Sequence, residues 1–416
     1  MSSKSEMEVR KNLDLVQIRK DFPILDSVIN GKKLTYLDNA ATTHKPLSTI
    51  ERMHNFMMNE NGTVRRGLYN LSINSTKAFD EVREKVRRFI NAASANEIVF
   101  TSGTTESINL VAHSFCSAFV KKDDAILISA IEHHANIVPW QIQAERLGAK
   151  LLFIPVLDSG DLDLDEFTRL IKTPNLKILA LTHISNSLGT INPIKMMIKA
   201  AHGEGVKVLI DGAQSAPHFK IDIQELDADF YTFSGHKVFG PTGIGVLYGK
   251  YDLLSVMPPY RAGGEMIEKV TLEKSTYTTP PHRFEAGTPP IAEVIGLGSS
   301  IDYIENIGLD LISAYEKDLF NYALNHLESI PEIKILGQAK ERASLLSFTC
   351  SSAEAFDIGT LLNEYGVAIR VGHHCAQPVM QRFGLSSTAR ASFAFYNTKA
   401  EIDTFIDALK QVLKMF

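Results

Sequence analysis

Seven short apolar runs, each closed by a polar or glycine-bearing turn, constrain this chain more than any other feature. They are "EIVFT" (97–101), "AILISA" (125–130), "KLLFIPV" (150–156), "LKILALTH" (176–183), "VKVLI" (206–210), "DFYTFS" (229–234) and "IGVLYG" (244–249). Helix-like segments fall between several of them. Strands and helices in alternation are the pattern of a mostly parallel sheet with helices on its faces, an α/β fold. In such open sheets ligands bind beyond the carboxyl ends of the strands. The residues just after each run are therefore the first candidates for a site.

Past about residue 278 the texture changes. A proline-rich stretch, "TTPPHRFEAGTPP", leads into a long helical pattern from Ala292, then strands near 343–350, 367–370 and 389–395. The chain closes on an amphipathic helix in which Ile402, Phe405, Ile406, Leu409 and Leu413 repeat at helical spacing. With 416 residues, too many for one core, the expected organisation has three parts. Residues 1–30 pack with the small domain, 31–277 form a large cofactor-binding domain, and 278–416 form a smaller α/β domain carrying the loop around Cys375.

A formal charge of -5 and 22% charged residues leave no electrostatic footprint for nucleic acid or anionic lipid. Three cysteines without a CxxC pair (Cys116, Cys350, Cys375) indicate neither a disulfide framework nor a cysteine-rich metal site. No stretch reaches the apolar length of a membrane span, and the N-terminus lacks the apolar centre of a secretion signal. A cytoplasmic protein acting on a small molecule or another protein is expected.

The turns after the strands are unusually polar. "TSGTTES" follows the first, where Gly103 permits a tight turn and Thr104 and Thr105 open a helix whose free amides suit an anion, or simply cap it. His133 follows the second strand in "EHHAN", and Asn186 follows a later one in "HISNSLGT". Asp211 in "LIDGAQS" would be costly to bury unpaired. Ser234, His236 and Lys237 lie between a strand and the glycine-rich bend "FSGHKVFGPTGIG". Read singly, Asp211 is equally a helix cap and Lys237 a solvated loop residue. Together they match the needs of pyridoxal phosphate: a lysine for the Schiff base, a carboxylate for the ring nitrogen, a group to lie on the ring and a phosphate cup.

"YLDNAATTHKP", "GTTESINLVA", "EHHANIVPW", "DGAQSAP", "FSGHKVFGPTGIGVLYG", "RFEAGTP", "RVGHHCAQP" and "ARASFAFYNT" together resemble the cysteine desulfurases of the SufS/CsdA type, in the class V aminotransferase group. The resemblance runs from about Asp21 to the C-terminus. It implies the type I, aspartate-aminotransferase-like homodimer, with a mainly parallel seven-stranded sheet in the large domain. It also implies a reaction that turns L-cysteine into L-alanine, feeding iron-sulfur cluster assembly. By motif position, Lys237 would carry the cofactor, Asp211 meet the ring nitrogen, Gln214 the ring hydroxyl, and His133 stack on the ring. Thr104, Thr105, Ser234 and His236 would hold the phosphate, with Thr288 reaching it from the partner subunit. Asn186, Arg370 and Arg390 would bind substrate, a guanidinium suiting a carboxylate.

Within this family Cys375 would take the substrate sulfur as a persulfide, since a thiolate is the competent nucleophile. His373 and His374 either favour that thiolate or only bond the loop backbone. A metal site is not expected, because adjacent side chains diverge and no fourth ligand is evident. A selenocysteine lyase or another class V reaction is the alternative; transamination would need no thiol. In "VRRGLYNLS" Arg65 and Tyr69 stand where relatives carry histidines, which puts any acid/base role there in doubt. In the helix before the Cys375 loop, relatives served by a zinc-bearing SufU-type acceptor carry His-Asp. This chain has Phe356 and Asp357, and phenylalanine has no lone pair for a metal, so a SufE-like acceptor is expected.

Overall fold

A computed structural model describes residues 13–416; residues 1–12, part of the N-terminal segment considered above, lie outside the described residues. All seven apolar runs become strands of one sheet: β1 (Ile98–Thr101), β2 (Ala125–Ser129), β3 (Lys150–Ile154), β4 (Leu176–Thr182), β5 (Lys207–Asp211), β6 (Phe230–Ser234) and β7 (Gly245–Gly249). Their order is β1-β7-β6-β5-β4-β2-β3. β7 runs antiparallel to β1 and β6, and the other pairs are parallel. Every residue of β1, β2, β6 and β7 is buried, as expected of strands covered on both faces. Alternation sorts the side chains: Leu127, Leu179 and Ile210 enter one apolar core, Ile128, Ile178 and Leu209 the other.

One boundary bears on function. Apolarity alone ends the fifth run at residue 210, but the ladder continues to Asp211, which pairs with Thr182 and Thr232. Backbone pairing is blind to the side chain. The carboxylate is therefore held by the sheet itself rather than by a turn.

In the C-terminal region β8 (Ile333–Leu336), β9 (Leu345–Cys350), β10 (Arg370–Gly372) and β11 (Thr388–Ser392) form an antiparallel sheet in the order β8-β9-β11-β10. The stretch 367–370 is not one strand. Val367–Ala368 pairs in parallel with Thr35–Tyr36, and Arg370 onward pairs with β11. The long helical pattern from Ala292 likewise divides at Gly308, whose φ of 95° favours glycine, into Ile291–Ile307 and Leu309–Glu328. Val294, Leu297, Ile301 and Ile304 of the first helix pack into the large sheet's core. The second helix joins Ala355–Glu364 and Lys399–Leu413 around a separate core with Phe348 and Phe405.

The last helix begins with a capping box between Thr398 and Glu401. Glu401 also pairs with Arg19 (3.0 Å), which donates to the Tyr396 carbonyl (2.7 Å). Phe22 is fully buried among Phe239, Tyr303, Phe395 and Tyr396. The N-terminal segment thus touches both parts of the chain. Among the described residues no helix is long and apolar enough to cross a membrane.

Candidate active site

A cleft of about 270 Å³ opens at the carboxyl ends of β1, β2, β4, β5 and β6, and is closed on its other side by residues of β10, β11 and the loop between them. It is where the strand topology puts a ligand. Of the thirteen residues singled out above for cofactor, substrate or chemistry, only Thr288 does not line it.

At the end of β1 the helix Thr104–Phe119 starts behind Gly103. The Thr104 amide donates to Ser234 Oγ (2.8 Å), and the Ser234 hydroxyl donates to Thr104 Oγ1 (2.9 Å). Two strand ends are thereby tied into one polar cup. Close approach is possible because Gly245 has no side chain: a Cβ there would stand 2.4 Å from Gly103 Cα. His236, at the rim, is pushed down to about 4 by burial, then by Lys237 and Lys45, and is neutral at pH 7.

Asp211 is buried, and the one hydrogen bond to its carboxylate among the described residues comes from the Ala213 amide (2.9 Å). Burial pushes its carboxyl up from the ordinary value, opposed by that amide and by Lys237. Gln214 lines the cleft with its Nε2 donating to the Ala40 carbonyl (2.8 Å). His133 accepts the Ala135 amide at Nδ1 (3.0 Å), and burial first, then Lys237, lowers it to about 4. Its turn is braced by Glu132, which accepts from Asn136 Nδ2 (2.7 Å) and the Thr182 amide (2.8 Å) and which burial raises to about 8.

Lys237 closes the 3-10 turn Gly235–Lys237 after β6. Burial lowers its amine to about 8, with Asp211 opposing. The turn is clamped by a segment whose role the sequence did not disclose. The His236 carbonyl accepts from Thr42 Oγ1 (3.1 Å), the Thr43 amide and hydroxyl (3.2 Å each) and Lys45 Nζ (3.0 Å).

Cys375 is exposed at the mouth of the cleft. Arg370 begins rather than ends its strand, so only His373 and His374 separate β10 from the thiol. His374 and Cys375 both adopt left-handed backbone, with φ of 53° and 54°, a costly arrangement for residues with a Cβ that must be held by its surroundings. It is held: the His134 amide donates to the Cys375 carbonyl (2.7 Å), and Asn186 Nδ2 donates to the His374 carbonyl (2.6 Å). Of the two readings for the histidines, the structural one prevails. His373 Nδ1 accepts the Cys375 amide (3.1 Å). His374 Nε2 pairs with Thr388 Oγ1 (2.8 Å), and burial, then Arg390 and Arg370, lowers it to about 3, so it brings no positive charge to the thiol. Cys116 is buried and pushed up to about 12 by that burial; a thiol so placed is inert.

Arg390 is buried, with Nη1 on the Asn186 carbonyl (2.7 Å) and Nη2 on Asp38 (3.2 Å), while its Nε has no partner. Arg370 also meets Asp38 (3.0 Å). Asp38 was missed in the sequence, although it is the lone acid of "YLDNAATTHKP". No three His, Cys, Asp or Glu side chains converge as a metal site among the described residues.

Thr288 is exposed, outside the cleft of its own chain. Arg65 and Tyr69 do not line that cleft either. Arg65 instead meets the buried Glu285 (2.8 Å), which also binds Arg83 (2.7 Å) and accepts the Phe100 amide (2.8 Å). Burial would raise the Glu285 carboxyl, but the charges of Arg83 and Arg65 and the hydrogen bonds from Arg83 outweigh it and hold it well below the carboxylate range. Glu285→Ala leaves the buried Arg83 and the half-buried Arg65 without their anion, and is expected to cost about 3–5 kcal/mol. Urea unfolding checks this; a loss within the ±0.5 kcal/mol or so of an ordinary surface change would deny the cluster that role.

The aminotransferase class-V family profile matches residues 35–405. A probable cysteine desulfurase of Mycobacterium leprae is 48% identical over 98% of this chain and 66% of its own, so this chain spans about two thirds of that relative's length. A cysteine desulfurase of Dickeya dadantii is 47% identical over 96% of this chain and 97% of its own. The crystal structure of the cysteine desulfurase CsdA from Escherichia coli superposes with a TM-score of 0.90 at 39% identity, covering 97% of this chain and 99% of that one. With lysine, buried aspartate and thiol meeting at the expected strand ends, the chain belongs to the aminotransferase class-V family, beside relatives that are cysteine desulfurases.

Proposed function

We propose that this protein is a pyridoxal phosphate-dependent cysteine desulfurase, converting L-cysteine to L-alanine and taking the sulfur onto Cys375 as a persulfide. The meeting of Lys237, Asp211 and an exposed Cys375 in one cleft carries the reading. The residues fit the cofactor. Asp211 is a buried acid with no cationic partner of its own beyond the Coulomb reach of Lys237, and the Thr104–Ser234 cup suits a phosphate. When bound, pyridoxal phosphate supplies an electron sink for the substrate's reacting carbons.

The chain's own groups do the rest. Arg390 lines the cleft, and its guanidinium, whose buried Nε has no partner, is the group offered to the substrate carboxylate. Lys237 Nζ, at about 8, can hold or release a proton near neutral pH. Cys375 Sγ, as a thiolate, attacks the substrate sulfur; a sulfur–sulfur bond forms as the Cβ–S bond breaks, and the carbon fragment keeps that electron pair, takes up a proton and leaves as alanine. Incubating the cofactor-loaded protein with L-cysteine and a reductant should yield alanine and sulfide in equal amounts. Sulfide without alanine would overturn the reading.

A homodimer is part of it, with Thr288 completing the partner's phosphate cup. Exposed apolar side chains at Met57, Met58, Leu68, Leu71 and Ile73 suit a subunit contact. The three cysteines are free, in keeping with a reducing cytoplasm, and iron-sulfur cluster assembly is the expected destination of the sulfur. The pinned Cys375 loop cannot carry a persulfide far, so an acceptor protein must bring its own thiol. Phe356 is 58% exposed and borders the loop near Gly372, and offers no ligand to a zinc-bearing acceptor. Titrating the enzyme with both acceptor types should show faster alanine release only with the metal-free, SufE-like one; stimulation by the zinc-bearing type alone would refute this.

A further inference from the structure

Arg370 and Arg390 are register partners on the antiparallel strands β10 and β11, so their side chains leave the same face of the sheet as neighbours. Like charges directly opposite one another destabilise a sheet, and here one of the pair is buried. Asp38 separates them. Its Oδ2 accepts from Arg370 Nη2 (3.0 Å) and its Oδ1 from Arg390 Nη2 (3.2 Å). The acid is set in place from elsewhere in the chain, through a bridge to Ser392 on β11 and the Ala41 amide on its carbonyl (3.1 Å). The three side chains together carry one net positive charge, and both arginines face the cleft.

We propose that Asp38 determines substrate specificity, by cancelling one of the two guanidinium charges so that the cleft accepts an amino acid with one acid group and rejects one with a second on its side chain. The inference rests on the reading that the cleft binds an α-amino acid, and adds to it which amino acids are excluded. A single carboxylate meets the Arg390 guanidinium, which lines the cleft and whose buried Nε has no partner. A second acid would find the remaining guanidinium already taken and the Asp38 carboxylate close by. Without Asp38, two cations would face the ligand, and charge balance would favour an amino acid with a second, side-chain carboxylate by about tenfold or more.

The test uses the cofactor-loaded protein and two ligands that have no sulfur to lose, L-alanine and L-aspartate, titrated by calorimetry and by absorbance. Asp38→Asn is expected to raise the aspartate-to-alanine affinity ratio by about tenfold, or about 1.4 kcal/mol. Adding Arg370→Gln removes the excess cation and should return the ratio to that of the wild type. Should Asp38→Asn fail to fold, Arg370→Gln alone still decides, because loss of a cation should lower the ratio below the wild-type value. A parallel loss of affinity for both ligands in Asp38→Asn, or an unchanged ratio in Arg370→Gln, would mean that Asp38 only braces the strands. A wild-type protein that answers to no amino acid would refute the proposed function itself, and this inference with it.

Discussion

Cys375→Ala is expected to abolish alanine formation from L-cysteine, with a loss of about a thousandfold or more, because no other thiol can replace the nucleophile. Cys116 is buried with its thiol pushed up to about 12, and Cys350 lies on β9 outside the cleft. Binding of the amino acid should persist, since it relies on Lys237, Asp211 and Arg390. Cleavage of selenocysteine should fall far less, because selenide leaves without attack by a thiol. Chromatographic alanine assays with both substrates check this, and an equal loss of both activities would deny the thiol its separate role.

Lys237→Ala should lose the covalent link to the cofactor and, with it, activity by a similar factor. Two lysines near the cleft are lowered to about 8, chiefly by burial: Lys45 and Lys237. Lys45 is occupied by the His236 carbonyl and Thr42 Oγ1, whereas Lys237 Nζ has no hydrogen-bond partner among the described residues and lines the cleft. The attacking form is the neutral amine. The rate of loading cofactor into the empty protein should therefore rise with pH through about 8 and level off above it, instead of climbing on toward the ordinary value of lysine, roughly 10.4. Absorbance after mixing measures that profile. Borohydride reduction followed by peptide mass spectrometry measures the attachment, and a pyridoxyl group on Lys45 would overturn the assignment.

Much of this site was legible because its parts follow directly on strands. An apolar run is a local property, and the polar residues after β1, β2, β4 and β6 needed no knowledge of distant packing to stand out. Asp211 shows the margin of that logic: its chemistry was evident, but its place in the ladder depends on Thr182 and Thr232 across the sheet. His374 shows where it fails. An imidazole beside a thiol reads as a source of positive charge, yet burial, and then the nearby Arg390 and Arg370, make it neutral. Arg65 reads as a misplaced cation until Glu285, 220 residues away, supplies its partner.

The sequence by itself determined the sheet, the order of its strands along the chain and the identity of the groups at their ends, because hydrophobic runs and turn residues act within a few positions. Only the tertiary structure decided which strands lie side by side and what surrounds each charge. Asp38 lies 332 residues from Arg370 and 352 from Arg390, and no local pattern signals that the three meet. Burial and ion pairing are set by non-local packing, and they decide whether a histidine is charged, a lysine is free and an arginine is available to a ligand.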